Sequence, residues 1–376
     1  MLNIKAFESI ERIQKADWGQ FPNPGFPFVE YEFFKALETS NVVGGESGWN
    51  PQYLTLWDNE KLVGVSYLYE KWNSYGEYIF DWTWAEAYHR HRVAYFPKLT
   101  SAIPFTPATG PKLLFHPSAH KQRSASLLLK AAKKQAEAQE KSSLHYLFVP
   151  PDEVPYFEGE GFLIRHSFQY HWKNQNYENF DHFLDKLKPK KRKQILRERE
   201  QLKSSDIQIR WLTGQTLLPE HALLFYQFYI QTIEKMGAIS YLNQEFFQTV
   251  FETLRDEVIL ILAEEAGVPV AGALYYQKGP SLFGRYWGAL KEIRNLHFEL
   301  CYYQPVIWAI ENKIQLFEAG AQGEHKISRG FLPELTYSAH WIRDPEFSKA
   351  IQNFIEEEKR GIRGIFEQIL SHSPFR

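Results

Sequence analysis

The chain has 376 residues, of which 44% are hydrophobic, and a formal net charge of −2. This composition predicts a globular protein with two hydrophobic cores and excludes a global charge bias toward nucleic acid or membranes. The single cysteine, Cys301, excludes an internal disulfide, and the charged N-terminal residues and short apolar runs predict neither a secretory signal nor a transmembrane segment. We therefore expect a cytoplasmic protein.

The first half of the chain predicts a hairpin, a third strand, a crossover helix and a parallel strand. Residues 53–69, YLTLWDNEKLVGVSYLY, place a polar turn between two apolar and aromatic runs, and residues 76–84, GEYIFDWTW, have the composition of a further strand. A helix over residues 124–141 and the strand LHYLFVP at 144–150 follow. This order is typical of a mixed α/β sheet.

Two features of this half contain candidate site residues. Asp81, Trp82 and Trp84 predict one wall of a substrate groove, with core packing as the alternative. Residues 104–111, PFTPATGP, form a rigid loop that either shapes a cleft, with Thr106 as a binding residue, or only connects two elements. The H-x-H pair that follows the tryptophans lacks a third ligand in the pattern, so no metal is expected.

Residues 186–203, KLKPKKRKQILREREQLK, carry nine cationic side chains against two glutamates. After Pro189 the pattern predicts a helix with Ile195 and Leu202 on its inner side. A basic helix of this kind binds tRNA phosphates or anionic lipid headgroups, or it is simply a solvated surface. The polar stretch before it predicts a domain boundary, with domains at 1–175 and 176–376.

The second half repeats the order of the first. The runs ILILA and PVAGALYY within residues 259–276 predict a hairpin, and SLFGRYWGAL at 281–290 predicts the next strand. Residues 295–313 predict a helix that Pro305 kinks or divides, before the strand IQLFEAG at 314–320. We interpret the repeat as a tandem duplication of one α/β unit; chance similarity of two hairpins is the alternative.

The loop after this last strand concentrates polar side chains at a strand's carboxyl end, where open α/β sheets bind ligands. Glu324 and His325 are the candidate bases of this loop, since a carboxylate and an imidazole can each take a proton. Lys326 and Arg329 are predicted to bind an anionic group, and Gln322 to contact substrate. A solvated loop with local ion pairs is the alternative.

In the preceding helix, Tyr302 lies three residues after Glu299, so an α-helix would place both on one face. We predict Tyr302 as the acid that protonates a leaving group and Glu299 as a second catalytic residue. Packing of the tyrosine between the helix and the sheet is the alternative.

The order of elements resembles the GNAT acyltransferase fold, in which two neighbouring strands splay apart and the acyl donor enters the gap. A tandem pair of such units resembles the Fem-type aminoacyltransferases, which attach amino acids to peptidoglycan precursors. The stretches YGEYIFDWTWAEAY, PKLTSAIPFTPATGPKLL and EAGAQGEHKISRGFLP further resemble a Fem-like bacterial family of the GNAT superfamily. The resemblance implies an α/β fold of two GNAT-like acyl-CoA N-acyltransferase domains with mixed sheets.

The sequence departs from the coenzyme A-dependent members at the phosphate-binding loop. Those enzymes place a glycine-rich motif between the fourth strand and its helix, so that backbone N–H groups grip the pyrophosphate. Here KEIRNLHFEL has no glycine at this place in the second half, and prolines interrupt the loop in the first. The donor is therefore left open between acetyl- or acyl-coenzyme A and aminoacyl-tRNA.

We predict from this resemblance a transferase that moves an acyl or aminoacyl group to an amine acceptor, either a small molecule or a peptide. In that reaction Glu324 or His325 would take the ammonium proton, and Lys326 and Arg329 would hold the developing oxyanion or an anionic donor. The resemblance points to a peptidoglycan precursor as that acceptor. The alternative is a protein without catalytic activity that binds a peptide or a cell-wall precursor. A third interpretation is binding of RNA or of an anionic surface by the basic helix over 186–203.

Overall fold

The structure is a computed structural model that describes residues 1–203, 205–321 and 323–376. Its strands are β1 Leu2–Phe7, β2 Trp49–Asp58, β3 Lys61–Lys71, β4 Lys98–Ser101, β5 Leu113–Phe115, β6 Ser143–Val149, β7 Leu163–Lys173, β8 Ile207–Thr213, β9 Val258–Glu265, β10 Val268–Lys278, β11 Ser281–Ala289, β12 Leu316–Glu318 and β13 Leu332–Ile342.

Its α-helices are α1 Lys15–Trp18, α2 Tyr31–Thr39, α3 Trp82–Arg90, α4 Lys121–Ala138, α5 Val154–Gly159, α6 Phe180–Lys186, α7 Pro189–Lys203, α8 Pro219–Met236, α9 Gln244–Thr253, α10 Leu296–Phe298, α11 Gln304–Glu311 and α12 Pro345–Ser371. A π-helix spans Glu299–Tyr303, and a 3-10 helix spans Glu324–Arg329. Within the described ranges, no helix combines the length and the hydrophobicity that a membrane span requires.

The chain divides into two compact units. The first comprises Met1–Asn23, Phe28–Phe168 and Leu335–Ile365, and the second comprises Pro24–Pro27, Gln169–Glu334 and Phe366–Arg376. The predicted boundary at 175/176 lies just after β7, but the predicted domains assign Leu335–Ile365 to the second half. Those residues belong to the first unit because β13 pairs with β6 there and adds a strand to its sheet.

The first unit contains a mixed sheet in the order β1-β2-β3-β4-β6-β13-β7, with β5 paired to β3. The hairpin of β2 and β3, the helix α4 and the strand β6 confirm those predicted elements. β4 runs antiparallel to β3 and parallel to β6. Leu128, Leu129 and Ala132 of α4 pack into the core beside this sheet because they share one helical face.

One predicted strand of the first half is wrong. Residues 76–81 form no strand, and the chain from Trp82 to Arg90 is the helix α3. Trp84 and Tyr88 lie four residues apart and face the interior, where they join a buried cluster with Tyr95. The helical spacing of these buried aromatics outweighs the β-propensity of the aromatic run.

A buried cation lies beneath the segment that joins β3 to α3. Lys98, fully buried at the start of β4, donates to the carboxylates of Glu77 (2.8 Å) and Asp81 and to Ser74 Oγ (3.1 Å). Tyr95 donates its hydroxyl proton to Asp81 at 2.5 Å. Burial opposes the charge of Asp81, but Lys98 holds the pKa of that carboxyl below its usual value. These bonds to charged groups fix the segment on the sheet.

Replacing Lys98 by methionine removes the cation that pairs directly with the buried carboxylates of Glu77 and Asp81. We expect K98M to lower the free energy of unfolding by about 3–5 kcal/mol, the cost of breaking a buried ion pair. Lys130→Met on α4 is the matched control, since that side chain is 61% exposed and its loss should cost no more than about 0.5 kcal/mol. Urea unfolding followed by tryptophan fluorescence measures the stability of both variants. Equal unfolding midpoints for K98M and Lys130→Met would contradict a stabilising role for the buried ion pairs of Lys98.

The second unit contains a mixed sheet in the order β7-β12-β11-β10-β9-β8. The hairpin of β9 and β10 and the strands β11 and β12 confirm the predicted strands. The helix α8 packs so closely on β11 that a side chain at Gly288 would lie 2.0 Å from the carbonyl oxygen of Phe228. The mixed α/β architecture predicted from the sequence is therefore confirmed.

The predicted basic helix is also present, as α7. Ile195 and Leu202 are buried, as predicted from their spacing, whereas Lys190, Lys193 and Arg197 are exposed. The cationic side chains therefore occupy the outer face of a helix whose inner face packs into the second unit.

Candidate functional site

β11 and β12 run side by side over a few residues and then part. Ser281–Phe283 pair in parallel with Leu316–Glu318, after which β11 continues to Ala289 paired with β10, whereas β12 ends. The gap holds a cavity of about 170 Å³. Its lining includes Tyr275, Arg285, His297, Cys301, Tyr302 and Gly320. The cavity thus lies at the carboxyl end of a strand, where α/β sheets place their ligand sites.

A β-bulge in β11 shapes one wall of this cavity. Leu274 of β10 pairs with Tyr286, and the next residue, Tyr275, pairs with Gly284, so that Arg285 is the extra residue. A side chain at Gly284 would lie 3.2 Å from the ring of Tyr275. The bulge is therefore tight, and a larger residue at this glycine would displace the tyrosine that lines the cavity.

A π-helix forms the opposite wall. The predicted helix over 295–313 is divided into α10, the π-helix and α11, in agreement with the expectation for Pro305. Pro305 has no N–H group to continue an α-helical ladder, and the N–H of Gln304 donates to the carbonyl of Glu299 five residues back. Such π turns occur frequently at functional sites. This one presents Tyr302 to the cavity.

The loop after β12 brings His325 against this tyrosine. Gly320 and Gly323 have φ angles of 82° and 119°, a backbone conformation that glycine adopts without steric cost. In the 3-10 helix that follows, His325 Nε2 lies 2.8 Å from the hydroxyl of Tyr302. A side chain at Gly323 would come within 2.6 Å of His325 Cε1, so this glycine determines where the imidazole lies.

Burial sets the protonation states of this pair. His325 is exposed on one side, but its partial burial lowers the pKa of the imidazole, and the charges of Arg329 and Lys326 lower it further, so the ring is neutral near pH 7. Burial also raises the pKa of Tyr302, which therefore keeps its proton. His297, whose ring centroid lies 6.1 Å from that of His325, has its pKa lowered to about 4, chiefly by burial. The phenol can thus donate to a neutral imidazole.

Lys326, the next residue, is buried in the same turn. Its Nζ donates to the carbonyl of Gly320, a cavity residue, at 2.8 Å. Burial lowers the pKa of Lys326 to about 8. The ammonium is therefore mostly charged at pH 7 and loses its charge as the pH rises through about 8.

Arg329 joins three elements. Its guanidinium donates to Glu198 of α7 at 2.8 Å, to the hydroxyl of Tyr303 at 2.9 Å and to the carbonyl of His325 at 2.8 Å. The guanidinium carbon also lies 3.5 Å from the ring centroid of Phe298. Because Arg329 is buried and occupied in this way, it holds the turn in place, whereas the sequence predicted direct binding of substrate.

The other residues predicted in this unit make different contacts. Glu299 is buried and pairs with Arg199 of α7 at 3.0 Å, in a π-helix where an α-helix was predicted. The α-helical spacing that would place it on one face with Tyr302 therefore does not apply here. Glu324 is exposed, and Gln322 lies outside the described residues. Catalytic roles for these residues stay predictions.

The residues predicted in the first half lie in the first unit. Asp81 is buried and paired with Lys98. Trp84, which belongs to α3, is buried in the hydrophobic core on which this helix packs. Trp82 is 58% exposed at the start of that helix. Thr106 is buried, and its hydroxyl donates to the backbone carbonyl two residues earlier. Their predicted binding of substrate stays a prediction.

Sequence reasoning missed Glu198, which balances the charge of Arg329. Burial opposes its ionisation, but hydrogen bonds from Tyr303 and a neighbouring glutamine and the charge of Arg329 hold its pKa below the usual value. The signal was available: Glu198 follows Ile195 by three residues and precedes Leu202 by four, which is the spacing of the inner face. A carboxylate at a buried position of a basic helix indicates a buried cationic partner.

The comparisons with known proteins identify the family and the fold. The sequence profile of the FemAB_like family, described as peptidoglycan biosynthesis/recognition, matches residues 9–376. The chain belongs to this family. The predicted Fem-like membership is therefore confirmed. A comparison with curated proteins gave no significant match.

Two solved structures resemble this FemAB_like chain. The crystal structure of FemX is 12% identical, covers 93% of this chain and 100% of its own, and gives a TM-score of 0.55. The structure of L-PGS from Bacillus licheniformis is 9% identical, covers 88% of this chain and 95% of its own, and gives a TM-score of 0.53. At these identities the likeness shows the fold alone, and it confirms the predicted Fem-like α/β fold. The tandem duplication stays a prediction.

No cluster of three His, Cys, Asp or Glu side chains able to hold a metal occurs in the part of the chain that the structure describes. The H-x-H pair, His89 and His91, is exposed at the carboxyl end of α3.

Removing the charge of Glu198 should loosen the turn that carries His325. We expect Glu198→Gln to lower the free energy of unfolding by about 2–4 kcal/mol, because Arg329 then remains buried without a counter-charge. The exposed Glu200 on the same helix supplies the control, and E200Q should change stability by no more than about 0.5 kcal/mol. Urea titration measures both variants. Similar midpoints for E198Q and E200Q would show that the buried pair does not hold the turn.

Proposed function

We propose that the second unit transfers an acyl or aminoacyl group from an activated ester or thioester to an amine acceptor. The observation that supports this most directly is the hydrogen bond between Tyr302 and His325 at the wall of the cavity where β11 and β12 part. A donor acyl group in that cavity would lie beside a phenol that keeps its proton and an imidazole that can take one.

The proton transfers balance through this pair. The amine lone pair attacks the acyl carbon, which forms the C–N bond and an oxyanion. The oxygen of Tyr302 takes the surplus amine proton while its own proton moves to His325 Nε2. The intermediate then collapses, the bond to the leaving sulfur or oxygen breaks, and Tyr302 protonates that atom as His325 returns its proton. The net result is one proton carried from the amine to the leaving group.

Lys326 supplies positive charge to the same region. Its ammonium is bound to the carbonyl of Gly320, which lines the cavity. A buried cation acts across a low-dielectric environment, so it stabilises a developing oxyanion more than an exposed one would. Exposed Lys190 and Lys193 on α7 would contact the phosphates of an aminoacyl-tRNA donor, if that is the donor used.

The family supports the choice of acceptor. Membership in a family of peptidoglycan biosynthesis and recognition favours an amine on a peptidoglycan precursor. The donor is either an acyl-coenzyme A or an aminoacyl-tRNA, because both present the carbonyl next to a leaving sulfur or oxygen. The word recognition in the same family description favours a second candidate function, in which the protein binds the precursor without modifying it.

Tyr302→Phe separates these two functions. We expect this variant to lose at least about a hundred-fold in turnover while it keeps its affinity for muropeptides, since proton transfer contributes about that much. Mass spectrometry of muropeptides incubated with acetyl-coenzyme A or with charged tRNA measures the transfer. Tyr226→Phe, on the partly exposed face of α8, is the matched control and should act like the wild type. Muropeptide binding without transfer from either donor by the wild type would contradict the transferase and support the binder.

The pH dependence follows from the two groups in the turn. His325 must be neutral, so activity falls as the pH drops through its pKa, which burial lowers. Lys326 must be charged, so activity also falls as the pH rises through about 8. We expect a bell-shaped profile of kcat/KM whose alkaline limb disappears in Lys326→Arg, because arginine stays protonated. An alkaline limb that persists unchanged in K326R would exclude Lys326 as its origin.

A further inference from the structure

Four large aromatic side chains are exposed on one segment of the first unit. Trp72 is 56% exposed, Tyr75 53%, Phe80 41% and Trp82 58%, and all four lie within residues 72–82, named here the aromatic loop. Single exposed aromatics are common on protein surfaces, but a contiguous group usually marks an interaction site. The function proposed for the second unit does not use this loop.

A hydrogen bond closes the aromatic loop. Ser74 Oγ donates to Asp81 at 2.6 Å, so that Tyr75 and Phe80 flank the same contact along the chain. The rings of Phe80 and Trp82 lie 4.5 Å apart at an angle of 35°. The patch thus consists of this ring pair together with the exposed rings of Trp72 and Tyr75 on the same loop.

The loop is also rigid in its exposed conformation. The indole of Trp49 donates to the carbonyl of Tyr75 at 3.0 Å, and the side chain of Asn73 accepts from the backbone N–H of Tyr75. Beneath the loop, Asp81 and Glu77 are bound to Lys98. A loop fixed in this way loses little conformational entropy when its rings are buried by a partner.

Cationic side chains border the patch. Trp82, Glu86 and Arg90 are spaced by four residues along α3 and share its exposed face, and Arg90 pairs with Glu86. The sequence HRHR at 89–92 is exposed at the end of this helix. On α3, Glu86 balances only Arg90, so the end of this helix is positive through Arg92.

We propose that the aromatic loop and the basic end of α3 dock this protein onto the surface of an anionic lipid bilayer. Tyrosine and tryptophan combine an apolar ring with a polar edge, which suits them to the level of the lipid headgroups. Neighbouring arginines add attraction to anionic headgroups. The charge of the border therefore complements the charge of the partner.

Two other occupants fit less well. A glycan needs acceptors for its hydroxyl groups, but the carboxylates of Glu77 and Asp81 are buried against Lys98 and unavailable to it. A second copy of the chain, placed on this patch by a two-fold axis, would bring two positive borders together. An anionic lipid surface can contact both the aromatic rings and the cationic side chains, so we choose it as the occupant.

Vesicle sedimentation tests the proposal with the full chain. We expect the wild type to partition onto vesicles of phosphatidylcholine mixed with phosphatidylglycerol at least about ten-fold more strongly than onto phosphatidylcholine alone, and less as salt increases. Trp72→Ser/Trp82→Ser should lower that partitioning by at least about ten-fold. Arg92→Gln should reduce only the preference for the anionic vesicles.

Two control variants identify the surface. Ile239→Ser/Leu290→Ser removes two apolar side chains that are 54% and 43% exposed in the second unit and should leave partitioning unchanged. Lys190→Gln/Lys193→Gln on α7 should also leave it unchanged. The proposal is overturned if the wild type does not bind the vesicles, if W72S/W82S binds them like the wild type, or if only the α7 variant loses binding. It is equally overturned if W72S/W82S instead dissociates a dimer in light scattering or abolishes binding of a muropeptide disaccharide.

Discussion

The candidate site depends on one buried guanidinium. An arginine inside a protein is stable only if its donors are all satisfied, and Arg329 reaches partners on α7, on the π-helix and in its own turn. Glu198 supplies the charge, and Phe298 covers the planar face. The same guanidinium binds the carbonyl of His325. The ion pair of Glu198 and Arg329 therefore also positions the backbone that carries the imidazole.

Two of the buried lysines, Lys98 of the first unit and Lys326 of the second, have surroundings that give them different chemistry. Lys98 lies between two carboxylates and keeps its charge, so it acts as a permanent link between a loop and a sheet. Lys326 donates to the backbone carbonyl of Gly320 and, among the residues that the structure describes, forms no salt bridge. Its pKa falls to about 8. A cation that titrates near neutral pH can change its charge during a reaction, whereas a doubly paired one cannot.

The sequence predicted the fold better than it predicted the contacts of the site. Hairpins, the helix α4 and the position of the strand before Gly320 follow from local periodicity and turn residues, which the tertiary structure preserves. The helix α3 was mistaken for a strand because aromatic residues favour strands, while the burial of Trp84 and Tyr88 that decides the matter is a tertiary effect.

The same limit applies to the site. The sequence placed both His325 and Tyr302 among the candidates, but it could not show that they form a hydrogen bond across 23 positions. The charge of Arg329 suggested ligand binding, since a sequence does not show which cations are enclosed. Only the spacing of Glu198 within its helix indicated that a charged side chain is buried. That spacing predicts a cationic partner for Glu198 inside the protein.

The π-helix has a consequence for how this chain can vary in length. An α-helix rotates by about 100° for each residue, and a π turn accommodates one residue more than the regular helix would. Deleting any one position within Glu299–Tyr303 would therefore restore an ordinary helix and turn everything on one side of it by about a quarter of a revolution. The register of this short segment, more than the identity of its side chains, keeps the phenol of Tyr302 aimed at the gap between the strands.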